Sequence, residues 1–295
     1  MKRMTRGQKI FNVFNIAFMI LLMIVTIYPF HYILVASFSD STMLKIHRGF
    51  LLTPLNPTLG AYRKTFNHPL IISGFANILK IMAIALPINI LFTLVGAFFM
   101  SQKGMRLKKP IVFMMMFTMY FGGGLIPEYL NIRELGLYGT HWALILPGCI
   151  SVYNTIIMKT AIEGLPESLQ ESAYIDGAND FMVLFRIIVP LIIPTIAVIL
   201  LYYGVGHWNS WFPATIYLDS NEKLPIQAVL RSILIENEQL LGGSTEVYDG
   251  LTYANDYTET IKYSIMVISL IPILCVYPFL QRYFIKGVLI GAVKG

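Results

Sequence analysis

The residue types that do covalent chemistry are present but scattered. His31, His47, His68, His141 and His207 lie far apart and form no H-E-x-x-H pair, so no zinc-hydrolase pattern exists. No Gly-Lys dipeptide occurs, which removes the phosphate-cradling G-x-x-x-x-G-K-[ST] loop and with it nucleotide hydrolysis on this chain. Cys149 and Cys275 each sit in an apolar run, where an unpaired cysteine behaves as a small hydrophobe. These patterns predict no catalytic residue, no metal site and no cofactor bound by the chain itself. Two groups remain, and their chemistry is recognition. One is the polar stretch Glu171-Ser172-Ala173-Tyr174-Ile175-Asp176-Gly177-Ala178, followed by Ile187-Ile188-Val189-Pro190-Leu191. The other is a set of amides and phenols inside apolar runs: Asn89, Tyr153, Asn154, Tyr202 and Tyr203. Polar groups are costly in lipid and often functional there. Amides beside flat aromatic faces suit a sugar in a translocation path, and they equally suit hydrogen bonding between helices.

The elements that position these groups follow from composition. The chain has 295 residues, 56% hydrophobic and 13% charged, with mean hydropathy +0.65, outside the range of soluble domains. A membrane-crossing helix needs about 20 mostly apolar residues. Six such runs are present, near 10–36, 71–100, 111–127, 141–163, 187–209 and 260–286. The expectation is an all-α membrane protein with six transmembrane helices forming one domain over 1–295. The first run is longer than the roughly 7 to 15 apolar residues of a cleaved signal, so it reads as a retained anchor.

Basic residues set the orientation. Lys2, Arg3, Arg6 and Lys9, then Lys103, Arg106, Lys108 and Lys109, then Arg282, Lys286 and Lys294 all fall on one side of a six-span topology. That side is assigned to the cytoplasm, with both termini inside. The net charge of +6 is thereby explained by topology, and nucleic-acid binding is not expected. The segments near 37–70, 128–140 and 210–259 lie opposite, and the last is acidic. Within it, 224–231 begins with Leu-Pro and continues apolar, which predicts a short helix against the membrane surface. His207, Trp208 and Trp211 read as an aromatic belt at the interface. Gly122-Gly123-Gly124 before Pro127 predicts a break near the outer end of the third run, leading into an interfacial segment over 128–137.

The polar stretch has its own local logic. Pro166 suits the first turn of a helix and Glu167 the positive end of its dipole, so a short helix should run to about Ile175. Asp176-Gly177 supplies a corner, and Asn179 caps a second helix running through Phe185 and Arg186 into the fifth span. Pro190 and Pro194 should interrupt that helix. The loop over 166–186 is therefore a helical hairpin on the positive side, rigid enough to act as a knob.

These residues carry a resemblance. The stretch from Glu171 to Ala178, with Ile187-Ile188-Val189-Pro190-Leu191 after it, resembles the E-A-A-x-x-D-G-A … I-x-L-P signature of permease subunits of ABC-type importers. Ser172 stands where that family usually has alanine. Tyr28-Pro29-Phe30, Leu146-Pro147, Trp208-Asn209-Ser210-Trp211 and the end from Phe284 to Gly295 extend the resemblance over nearly the whole chain, toward the smaller partner of a carbohydrate-uptake permease. The branch is similar to a lipoprotein-cluster permease and to uptake systems for plant or algal polysaccharide fragments. The resemblance implies a type I importer fold with a coupling helix between helices 4 and 5. It implies that Glu171, Ser172, Ala173, Asp176, Gly177 and Ala178 dock on a separate ATPase, and that a tail including Lys294 and Gly295 reaches it too.

The resemblance also implies the partners. They are a second permease subunit, two cytoplasmic ATPases that hold ATP and Mg, an extracytoplasmic sugar-binding protein, and an oligosaccharide, in a bacterial inner membrane. The rivals are the same machine carrying a peptide or polyamine, a secondary transporter, and a structural or assembly membrane protein. A secondary transporter usually shows an acid or His relay inside its spans, and no acid lies in the core of any run.

Overall fold

A computed structural model describes residues 5–104, 107–242, 260–275 and 278. The described residues are helical throughout, with no strand. They gather into two compact units, one over 1–69 and 232–272 and the other over 70–231 and 273–295.

In the first unit, α1 (Arg6–Ser37) opens with a capping box in which Thr5 and Gln8 satisfy each other's backbone N–H groups. Its buried residues are Val35, Ala36 and Ser37, at its last turn. There they pack with Leu44 of α2 (Ser41–Ile46) and with Leu51. Asp40 caps α2 by accepting from Thr42 and Met43 N–H, an arrangement worth about 1 kcal/mol. After α3 (Gly60–Phe66), Thr65 bonds Ser264 of the apolar helix that returns over Thr260–Cys275.

The second unit begins on α4 (Pro69–Ser101), which with α1 is long and apolar enough to cross a membrane. α5 (Lys108–Tyr120) and α6 (Leu125–Glu134) form one apolar pair bent by 116°. The bend falls on the three glycines, and Gly124 takes φ +87, which a residue with a Cβ rarely adopts. α7 (Trp142–Ile145) and α8 (Val152–Glu163) follow, then α9 (Glu167–Ile175). α10 (Asp180–Met182), a π turn (Val183–Ile188) and α11 (Val189–Leu191) form a second limb, bent by 86° from α12 (Ile193–Trp208). α13 (Trp211–Tyr217) and α14 (Ile226–Gly242) complete it.

Three of the six apolar runs differ from the single helices their composition suggests. The run 111–127 stops as a helix at Tyr120, about 20 Å along its axis at 1.5 Å per residue. The run 141–163 is broken between α7 and α8, because Pro147 has no N–H to continue the ladder and Gly148 disfavours helix. The run 187–209 bends at Ile192, between Pro190 and Pro194, as the two prolines require. Of the run 260–286, the part beyond Cys275 lies almost entirely outside the described residues.

Two outer-segment expectations are corrected. The helix expected at 224–231 runs over Ile226–Gly242, and its start does not rest on the surface: Ile226, Ala228, Val229 and Leu230 are buried. Gly74 makes this possible, since a Cβ there would lie 3.1 Å from Ile226 Cα. The aromatic belt is also revised, because His207 and Trp208 are buried, and Trp211 lies under the Arg231 guanidinium at 3.8 Å. Burial wins for Trp208 because it faces Phe75 of α4 rather than the periphery.

Candidate functional site

The hairpin over 166–191 is built from complementary end signals. Pro166 stands at the N-cap of α9, with Glu167 in the first turn beside the positive end of the helix dipole. At the other end, Gly177 N–H bonds Tyr174 C=O at 3.1 Å and Ala178 N–H bonds Ala173 C=O at 2.9 Å. That pair of bonds is a Schellman motif, which needs its C′ residue in the left-handed region. Gly177 supplies it at φ +83. Asn179 Oδ1 then accepts from Met182 N–H at 2.9 Å and starts the second limb. Tyr174 O–H donates to Asp180 across the corner at 2.9 Å. Partial burial, followed by this bond to a carboxylate, pushes the Tyr174 phenol up to about 12.

The hairpin has an inner and an outer side. Ala173 is buried and packs in one core with Val183, Leu184 and Ile188 of the π limb, Leu94, Ala97 and Phe98 of α4, and Met158 and Ile162 of α8. That core continues through Ile192 and Ile199 to Tyr203 on α12. Ala178 packs against its edge. Glu171, Ser172, Asp176 and Gly177 face outward, with the apolar side chains of Ile175 and Phe181, 86% and 70% exposed. The arrangement is a rigid corner with an acidic and apolar outer face, seated on a continuous apolar core.

A brace absent from the sequence reading joins the hairpin to the basic loop after α4. Lys103 Nζ donates to Glu167 Oε1, and this bond holds the lysine above its usual range. Both side chains are exposed, so the pair contributes little to stability and more to the position of α9. A groove of about 440 Å³ lies along it, walled by Lys103 and Lys108 on one side and Glu163, Glu167 and Glu171 on the other.

The five polar residues assigned to a path divide into two groups. Tyr153 and Tyr202 are exposed, 54% and 42%. Asn89, Asn154 and Tyr203 are buried. Asn89 Nδ2 donates to Gly148 C=O at 2.7 Å, and Asn89 Oδ1 lies 2.9 Å from His207 Nε2. Tyr203 O–H receives Ser151 N–H at 2.8 Å and lies 2.7 Å from Thr93 Oγ1. Asn154 N–H is capped by Ser151 Oγ at 3.3 Å. Thr93, Gly148, Ser151 and His207 were not singled out for this role from the sequence. A usable signal exists, since Asn89 and Thr93, and likewise Tyr203 and His207, are spaced four apart and so share a helix face.

The outer end carries a separate clasp. Lys223 Nζ donates to Gly139 C=O at 2.7 Å and to Asp219 Oδ1 at 2.9 Å, while His141 Nε2 lies 3.0 Å from Lys223 C=O. Asn77 Nδ2 donates to the carbonyls of Glu222 and Leu224 at 2.6 and 3.1 Å. Lys223 holds the Asp219 carboxyl below its ordinary range. Among the described residues no cluster of three His, Cys, Asp or Glu offers a metal site. Lys294 and Gly295 lie outside the described residues.

Comparison with known proteins agrees with this geometry. The chain is 36% identical over 288 residues to the polygalacturonan/rhamnogalacturonan transport system permease protein YtcP of Bacillus subtilis (strain 168), covering 98% of this chain and 99% of that protein. It is 38% identical over 291 residues to Protein LplC of the same organism, covering 99% and 97%. Among solved structures, a bacterial ABC transporter involved in the import of the acidic polysaccharide alginate has a chain that superposes with TM-score 0.86 at 29% identity, covering 96% of this chain and all of that one. The profile of the binding-protein-dependent transport system inner membrane component matches residues 110–290, which include the hairpin, the broken span and the clasp, and the chain belongs to that family.

Proposed function

We propose that the chain is a transmembrane permease subunit of an ATP-driven importer that takes up an oligosaccharide handed over by an extracytoplasmic binding protein. The single observation that carries the reading is the 166–191 hairpin. Its outer face presents Glu171 and two exposed apolar side chains, while its inner face is locked through Ala173 into the core of the spans. A knob of this kind suits rigid-body transmission from a moving partner, which a pliable loop does not. Glu171, Ser172, Asp176 and Gly177 form the docking face, with Ala173 and Ala178 fixing its seat. ATP and Mg belong to two cytoplasmic ATPase subunits, and this chain is not itself the enzyme.

The same reading assigns six spans in one domain over 1–295. They are α1, α4, α5 with its bend, α7 and α8 across their break, α12, and the helix over 260–275 with the residues that follow. The basic segments and both termini face the cytoplasm, and a tail with Lys294 and Gly295 contacts the ATPase. A second, similar permease subunit completes the pathway. Tyr153 and Tyr202, the exposed members of the polar set, are the ones available to a sugar. An acidic oligosaccharide is the favoured substrate, because the relative named for polygalacturonan and the neighbour named for alginate both carry uronic-acid polymers.

The test compares wild type with Glu171→Lys in the assembled permease, measuring capture of the purified ATPase subunit and its rate with binding protein and sugar. A folded Glu171→Lys complex that loses docking or stimulation supports the reading. Uptake that proceeds without any ATPase overturns it in favour of a secondary transporter. Stimulation by a loaded peptide-binding or polyamine-binding protein alone overturns the choice of sugar.

A further inference from the structure

The backbone between α7 and α8 cannot satisfy itself. Pro147 has no N–H, and the helical ladder is interrupted from Leu146 to Ser151. At membrane depth a freed carbonyl or N–H must find a partner from the protein. Two are supplied by side chains of neighbouring helices: Asn89 of α4 takes the Gly148 carbonyl, and Tyr203 of α12 takes the Ser151 N–H. Each of these side chains is held in turn by the opposite helix. His207 of α12 faces the Asn89 amide oxygen, and Thr93 of α4 faces the Tyr203 hydroxyl. Since Asn89 Nδ2 donates to a carbonyl, its Oδ1 accepts, and His207 must present its Nε2–H. Since the Tyr203 oxygen accepts from Ser151, its own proton goes to Thr93. The four side chains thus form a closed, reciprocal pair of links between α4, α12 and the broken span.

We propose that Asn89, Thr93, Tyr203 and His207 are a clamp that positions the segment 147–151, and that opening this clamp is how displacement of the 166–191 hairpin reaches the interior of the spans. Two further observations support the link. Tyr203 belongs to the same buried core as Ala173, Val183 and Leu184, so apolar contact is continuous from the hairpin to the clamp. The 86° bend at Ile192 joins the hairpin limb directly to α12, with Ile192 N–H shared between the carbonyls of Ile188 and Val189. A shift of the hairpin is therefore delivered to the helix that carries Tyr203 and His207. These are positioning residues, since none of them is required to touch the transported molecule. The coupling half of the proposal rests on the importer reading above; the clamp half does not.

Cys149 lies inside the clamped segment and is half-buried, which gives the chain its own reporter once Cys275 is replaced by alanine. The rate of maleimide labelling of Cys149 is measured in the assembled transporter for wild type, Thr93→Val, Thr93→Ser, Tyr203→Phe and Asn89→Leu. Thr93→Val and Tyr203→Phe should each raise the resting rate roughly five-fold, the factor for loss of one net hydrogen bond, and Thr93→Ser should restore it. Asn89→Leu alone leaves a carbonyl unsatisfied and risks the fold, so the decision rests on the Thr93 and Tyr203 variants. The same variants should hydrolyse more ATP per sugar carried, while docking of the ATPase is unchanged. Labelling that is equally slow in wild type, Thr93→Val and Tyr203→Phe overturns the clamp. Faster labelling with an unchanged ratio of ATP to sugar overturns its coupling role. A wild-type transporter whose ATPase ignores loaded binding protein sinks the importer reading instead, and the labelling result still decides the clamp.

Discussion

Replacing Gly177 isolates one physical cost in the hairpin. No heavy atom outside its neighbours lies within 4 Å of where a Cβ would be, so a side chain at this position meets open space and neither clash nor lost packing contributes. What remains is conformation. At φ +83 an L-residue sits in the left-handed region, at a cost of about 1–2 kcal/mol for alanine, more for a β-branched residue and less for asparagine. The chain can escape the strain by opening the corner. It then forfeits the bonds from Gly177 to Tyr174 and from Ala178 to Ala173, each worth about 0.5–1.5 kcal/mol net. The two routes cost similar amounts, so the penalty is bounded near 1–2 kcal/mol, a roughly tenfold fall in the population of the closed corner. Sugar-stimulated ATPase activity, measured against ATPase-subunit concentration, should show half-saturation rising in the order Gly177, Gly177→Asn, Gly177→Ala, Gly177→Val. The maximal rate at saturating partner should change little, because the closed corner is still reachable. Equal affinities for all four, or valine above asparagine, would refute the reasoning that a left-handed corner shapes the docking face.

Further outcomes follow from other contacts. Ala173→Leu overfills the core shared by α9, the π limb and α4, and should lower stability by about 1–3 kcal/mol and weaken ATPase capture, read by thermal melting and pull-down. Asn89→Leu strands the Gly148 carbonyl in a buried site and should cost about 1–3 kcal/mol, whereas a surface change such as Ser172→Ala should leave the melt unaltered. The outer clasp is pH-sensitive in a defined direction. Because the folded-state Asp219 is held below the ordinary aspartate range, its contribution is complete above that range and is lost as pH falls through the lowered value. The melting difference between wild type and Asp219→Asn should therefore be present at neutral pH and vanish on acidification. Gly139→Ala should break the same clasp at every pH, since its Cβ would stand 2.6 Å from Asp219 Oδ2 on a φ of +74.

Much of the hairpin was legible because its signals are local. Pro166, Glu167, the Asp176-Gly177 corner and the Asn179 cap act over one turn of chain, and all operate where they were read. The break at Gly122-Gly123-Gly124 was legible for the same reason. Hydropathy located apolar runs but not their continuity. At 141–163 the run stays apolar through Pro147 while the helix does not, and at 187–209 the two prolines produce a bend that composition alone does not scale. The clamp lay beyond reading because Asn89 meets Gly148 and Tyr203 meets Ser151 across dozens of residues, which no local pattern encodes. His207 and Trp208 were misplaced at an interface because aromatic residues near the end of a run serve there or inside equally well, and only tertiary packing decides.

The π turn over Val183–Ile188 has a consequence for how this protein can change over evolutionary time. A π turn holds one residue more than the α-helix it replaces. Removing a single residue from it would let an ordinary helix form, at no loss of hydropathy, yet everything on the far side would be re-indexed by about 100° around the helix axis. The outer face with Glu171 would then point away from its present direction. Substitutions in this segment can accumulate as long as they stay apolar, but its length is frozen. Lineages that share the docking partner should keep the count between Asn179 and Pro190 fixed even where the residues between them drift.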